Sequence, residues 1–220
     1  MADSKDIQAL ARILNLQNIA NGEIDLENEK LSNKDYLYNI LLEEVNIRNA
    51  NKLKGIKKDA KLSSKVFDYT RITEGLKWQL EKIKRIDFTS TKQNIFIVGD
   101  CSTGKTSLVS ELGNDALEKG AKIIYITYDN LVVESRLKKK QWNKILECDM
   151  LILDDVFYLP PDENELIEMY KVLMFLQETR SIILITNRPL SSWKNMKVDT
   201  HLVETLEKRL MQDAQIISLA

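Results

Sequence analysis

Eight consecutive residues near the middle of the chain, Gly99-Asp100-Cys101-Ser102-Thr103-Gly104-Lys105-Thr106, carry two glycines, a lysine and a hydroxyl in the spacing G-x-x-x-x-G-K-[ST]. Glycines at 99 and 104 let the backbone bend so that successive N–H groups point inward, the arrangement that phosphate oxygens require. Lys105 is placed to reach the outer phosphates of a nucleoside triphosphate, Thr106 to ligate a divalent cation, and Ser107 to complete the cradle. An ordinary glycine turn is the alternative, and context decides between them: the apolar run Asn94 to Val98 precedes the motif and an amphipathic stretch follows it.

Two further groups fit the same chemistry. Met150-Leu151-Ile152-Leu153 leads into Asp154 and Asp155. In an open parallel sheet, groups at the C-terminal ends of strands face the ligand crevice. Asp154 is therefore expected to hold the cation and Asp155 to polarise an attacking water. Asn187, in Ile185-Thr186-Asn187-Arg188-Pro189, also follows an apolar run and suits a water-orienting role near the outer phosphate; a turn is its plainer reading.

Positioning these residues is a matter of strands and helices. Runs at 94–98, 122–127, 150–153, 181–186 and 215–219 are short, continuous and rich in β-branched residues, as in strands covered on both faces. Stretches such as 105–119 and 164–179 are long enough for crossover helices. The expected fold class is α/β, a P-loop three-layer αβα sandwich around a five-stranded parallel sheet. Before it, apolar residues recur at helical spacing, among them Ile7, Leu10, Leu14 and Tyr36, Leu37, Ile40, Leu41, with Ser32 as a candidate N-cap. Residues 15–31, rich in Asn, Glu and Gly, read as a loop. The expected division is a helical N-terminal domain over 1–66 and a nucleotide-binding domain over 67–220.

Composition narrows the class. With 44% hydrophobic and 30% charged residues in 220, the chain matches neither a disordered nor a membrane protein, and no apolar run approaches a bilayer span. The N-terminus does not read as a secretory signal, so a cytoplasmic location is expected. Cys101, Cys148 and the single His201 cannot make a zinc site and read as reduced thiols and a bystander. A net charge of −1 conceals two basic runs, 48–65 and Arg136 to Lys144. Through Lys138, Lys139 and Lys140 and the 48–65 segment they suit phosphate contacts with DNA, although charge runs are commonly solvated helix faces.

Taken together, LILDDVFYLPPD and ITNRPLSSW resemble the IstB family of transposition-helper ATPases, relatives of the DnaC helicase loaders within AAA+. That family's pattern is close to LLILDDFGYLPLD and SNRPFSEW, and the resemblance extends over roughly residues 30–220. Val156-Phe157 departs from its Phe-Gly. The resemblance implies ATP with Mg²⁺ as ligands, ATP hydrolysis, and homo-oligomerisation into a nucleotide-dependent ring or helical filament. It implies a transposase partner, or a replicative helicase on the DnaC-like alternative. It also implies that Arg209, in Leu206-Glu207-Lys208-Arg209-Leu210, is an arginine finger reaching the neighbouring subunit's phosphate. No counterpart of the helical lid typical of AAA+ proteins is expected within residues 1–220, and weak turnover by an isolated subunit is expected with it. A small-molecule phosphotransferase is the remaining alternative; no second-substrate motif supports it.

Overall fold

The computed structural model describes residues 4–24, 33–138 and 140–219, which form two compact units, Met1–Ile56 and Lys57–Ala220. In the first, α1 (Ser4–Ile13), α2 (Gln17–Ala20) and the first part of α3 (Asn33–Asp59) enclose a small core of Ala11, Ile19, Ala20 and Ile24, with Leu16, Ile40 and Ile47 against it. The expected cap Ser32 lies outside the described residues. The reading of 15–31 as loop is corrected by α2. This one-turn helix has no cap of its own. Its Ile19 N–H is instead accepted by Glu44 Oε2 at 3.0 Å, from α3. Glu44 is 1% exposed and tolerates burial because Arg48 donates to its other oxygen at 3.1 Å. Such a cap comes from 25 residues away, and local composition carries no trace of it.

The second unit contains a sheet of β1 (Ile95–Gly99), β2 (Ile123–Thr127), β3 (Met150–Asp154), β4 (Ser181–Thr186) and β5 (Gln215–Leu219). All pairings are parallel, in the order β2-β3-β4-β1-β5. Each strand lies within one residue of its expected bounds; the expected cover on both faces is corrected for β5, an edge strand in which Ile216 and Ser218 are exposed. Every residue of β3 and β4 is buried.

Helices cover both faces. On one lie α4 (Glu74–Lys84) and α5 (Lys105–Glu118). Gly113 of α5 sits so close to β3 that an added Cβ would meet Ile152 Cδ1 at 3.2 Å. On the other lie α6 (Tyr128–Leu137), α7 (Lys140–Glu147), α8 (Glu163–Thr179) and α9 (Thr200–Met211). There Leu131, Ile145, Leu173 and Leu206 form one cluster with Phe96, Leu151, Leu153 and Leu184 of the sheet. Each such fully buried side chain contributes about 1.5–3 kcal/mol relative to exposure. The three-layer sandwich follows, with β4 interposed between β1 and β3. Consequently the C-terminal ends of these three strands, and whatever residues follow them, share one edge of the sheet.

Candidate functional site

β1 ends at Gly99, where an added Cβ would lie 2.3 Å from the Leu219 carbonyl oxygen of β5, so only glycine fits. The chain then turns through Ser102 at φ +66° and Gly104 at φ +90°. Gly104 also admits the ring of Phe67, 3.1 Å from where a Cβ would be. α5 begins at once, and its N-cap glycine supplies no side-chain acceptor. Its first-turn N–H groups, those of Lys105, Thr106 and Ser107, thus lack the cap that Thr73, Asp162 and Asp199 give to α4, α8 and α9. The residues suit an anion: glycine backbone, uncapped amides and the positive end of a fourteen-residue helix.

Lys105, 7% exposed, donates to the carbonyl oxygens of Gly99 at 2.8 Å and Asp100 at 2.6 Å. Burial holds its pKa below the ordinary lysine range, against the opposing pull of Cys101, Asp154, Asp100 and Asp155. Among the described residues its ammonium is bound to main-chain carbonyls, neutral acceptors that an anionic phosphate outcompetes.

Asp154 closes β3 and is 7% exposed. Its Oδ1 accepts the Asp155 N–H at 2.8 Å, and its Oδ2 accepts from Thr106 Oγ1 at 3.3 Å and from the Tyr125 hydroxyl. Thr106 and Asp154 therefore converge on one point, as two oxygen ligands of a hard divalent cation must. Among the described residues no group of three His, Cys, Asp or Glu could hold a metal. The pair fits Mg²⁺, which takes one or two protein oxygens and fills its shell with phosphate and water. Asp155 is exposed, at φ +57°. Burial of its surroundings, then the charges of Asp154 and Asp129, raise its pKa above the usual carboxylate range, with Lys105 opposing.

Asn187 follows Thr186 at the end of β4 and is half-buried. Since β4 runs between β1 and β3, it stands between the glycine loop and the two aspartates. The same strand end is laced to the turn after Asp155. Val156 N–H donates to Ile185 O at 3.0 Å, Thr186 Oγ1 to Val156 O at 2.9 Å, and the Arg188 guanidinium to Tyr158 O at 3.2 Å. Phe157, at φ +56° and fully buried, packs edge-on against Trp193 (4.7 Å between centroids) and Tyr128 (5.2 Å). The resembled pattern carries glycine here, as positive φ favours. A phenylalanine costs about 1–2 kcal/mol of backbone strain, which burial of its ring offsets.

Arg209 is exposed in the last turn of α9. That helix runs back from the ligand edge to the start of β5, so Arg209 lies at the opposite end of the sheet from the glycine loop, roughly 16 Å of strand away. Lys138 is exposed with its ammonium 4.0 Å from the Trp142 ring centre. Lys139, and the side chain of Lys140, lie outside the described residues. Of the 48–65 run, Arg48 is engaged by Glu44 and Lys57 by Glu118 at 2.8 Å, whereas Lys54, Lys58, Lys61 and Lys65 are exposed. Cys148 is buried, its thiol pushed up to about 12 by burial, and no helix among the described residues is long and apolar enough to cross a membrane.

Sequence reasoning did not single out Tyr125, Phe67 or Arg188 at the site. Tyr125 sits within an ordinary strand pattern, and Phe67 in a segment with no periodicity.

Comparison with known proteins agrees with this geometry. The family model described as IstB-like ATP binding protein matches residues 8–220. The ATP-binding protein of an IS21-like insertion sequence from Bacteroides fragilis is 26% identical, over 98% of this chain and 87% of its own. A structure of the replication initiator DnaA bound to AMPPCP and single-stranded DNA is 26% identical with a TM-score of 0.55, over 72% of this chain. This chain spans about half of that one, 51%. The DnaC helicase loader structure shares the fold at a TM-score of 0.56 and 16% identity, over 70% of this chain and 96% of its own.

Proposed function

The chain belongs to the IstB-like ATP-binding protein family, and on that premise we propose that it binds ATP with Mg²⁺ at residues 99–107 and hydrolyses it when assembled with copies of itself on DNA. The observation that carries this reading is the convergence on one edge of the sheet of uncapped α5 amides, Lys105, and the Thr106–Asp154 pair at 3.3 Å. Backbone amides from Gly99 to Ser107 cradle the phosphates and Lys105 turns from its carbonyls to their outer oxygens. Thr106 and Asp154 hold Mg²⁺, whose charge offsets that of the phosphates. Asp155, with a raised pKa and an exposed carboxylate, takes the proton of the attacking water, and Asn187 orients that water.

Arg209 faces away from its own site, and its use therefore requires a neighbouring subunit. The exposed lysines at 54, 58, 61, 65 and 138, with 139 and 140, supply phosphate contacts to DNA. The N-terminal unit, Met1–Ile56, is the partner- or DNA-binding part and the second, Lys57–Ala220, the ATPase domain, a boundary earlier than the one expected between 66 and 67. An insertion-sequence relative covering nearly the whole chain favours a transposase partner; the helicase-loader alternative draws on a shared fold alone.

Lys105→Ala tests the reading. Charge-assisted bonds of one lysine are worth roughly 1.5–3 kcal/mol, so nucleotide affinity in a fluorescence titration falls about 10- to 100-fold. A variant that binds ATP as the parent does removes residues 99–107 from the function.

A further inference from the structure

Tyr125, a side chain outside the three motifs, hydrogen-bonds the cation-ligand pair. It lies on β2 opposite Ile152 of β3, so the two side chains share a face of the sheet, and Asp154, two residues on, shares it too. This is the face that α5 covers, and Thr106 enters the site from α5. The phenol, half-buried, donates its hydrogen to Asp154 Oδ2, the same oxygen that accepts from Thr106. With Oδ1 taken by the Asp155 N–H at 2.8 Å, both carboxylate oxygens are held by three donors from three separate segments: β2, the start of α5 and the turn after β3.

We propose that Tyr125 is a positioning residue for the metal ligand Asp154, a role that rests on the reading of Thr106 and Asp154 as the Mg²⁺ ligands. A carboxylate on the last residue of a strand has free rotation about χ1 and χ2, and ordering it at the moment of metal binding costs affinity. Tyr125 removes that freedom beforehand. Its ring is fixed by the sheet, its hydroxyl donates to Asp154 Oδ2, and that oxygen is thereby aimed at Thr106. Outer partners of this kind are worth 10- to 100-fold in metal affinity. Among the described residues Tyr125 makes no hydrogen bond to residues 99–105, and its partner within the phosphate-loop motif, Thr106, is itself a cation ligand. Its influence is therefore specific to the cation and not to the nucleotide.

The test uses the full chain carrying Tyr125→Phe, which keeps the ring and its packing. Mn²⁺ binding is followed by electron paramagnetic resonance with a non-hydrolysable ATP analogue present, and analogue affinity is measured separately in EDTA. The half-saturating Mn²⁺ concentration rises about tenfold, while analogue affinity in EDTA stays within about twofold of the parent. In an Asp154→Ala background the same substitution changes neither quantity. An unshifted Mn²⁺ titration overturns the role. So does an equal loss of affinity in EDTA, which marks general damage, or a tenfold effect that persists without Asp154. A parent chain that binds no analogue under any condition sinks the site assignment itself, an outcome distinct from all of these.

Discussion

Two adjacent aspartates with identical side chains occupy different environments because one ends a strand and the other begins a left-handed turn. Asp154 is buried and oriented by three donors, with acceptor capacity left for the proposed cation. Asp155 is exposed, and burial around it together with the Asp154 charge lifts its pKa, which strengthens it as a base. The two substitutions therefore separate binding from chemistry. Asp155→Asn keeps ATP affinity within about threefold and lowers turnover by a factor on the order of 10²–10⁴, the usual worth of a general base. Steady-state phosphate release alongside an equilibrium titration reads both quantities. Undiminished turnover would assign the proton transfer elsewhere. The pairing of a glycine-lysine-threonine loop with two aspartates was legible in the chain, since their spacing relative to apolar runs is local. Tyr125 was not, because its role depends on which strand lies beside β3.

Among the elements, the segment 67–71 has the least periodic sequence and a definite place. Phe67 packs on Gly104, and Tyr69 stacks edge-on against it at 5.2 Å between centroids. Tyr69 is anchored by donating to Glu111 Oε1 of α5 at 2.5 Å, an oxygen that also accepts from Lys84 of α4 at 2.9 Å. Burial opposes the charge of Glu111, but the hydrogen bonds from Tyr69 and Lys84 prevail, and its pKa lies below the ordinary carboxylate range. A carboxyl depressed on folding contributes stability that is full above its unfolded pKa, about 4.3, and is lost as pH falls through the lower folded value. Glu111→Gln should therefore cost about 1–2 kcal/mol at pH 7. The gap to the parent should narrow as the pH drops below about 4. Thermal melts across that range check it, and a gap independent of pH would mean the anchor does not depend on charge. Strands and long helices were readable from apolar periodicity; this bracing segment was not, since its anchor Glu111 lies on α5, 42 residues from Tyr69.

For the whole molecule, the direction of α9 bears on how many chains make one site. It carries Arg209 to the edge of the sheet opposite the glycine loop, so on the proposed reading the arginine acts on a neighbouring chain's site. Lys105→Ala and Arg209→Ala should each be inactive alone. Mixed in equal amounts they should regain about a quarter of the parent rate, from interfaces that pair a good loop with a good arginine. A mixture as inactive as its components, in a sample shown to be co-assembled, excludes action in trans by Arg209. The chain by itself determined the α/β class, the strands, the phosphate-loop signature and the family resemblance, because each is written in local spacing and in the burial of continuous apolar runs. Tertiary structure alone decided that β4 separates β1 from β3, that Glu44 caps α2, that Phe157 is buried at positive φ, and that Tyr125 grips Asp154. Each of these depends on contacts between residues far apart in the chain, whose energies appear only once the sheet order brings them together.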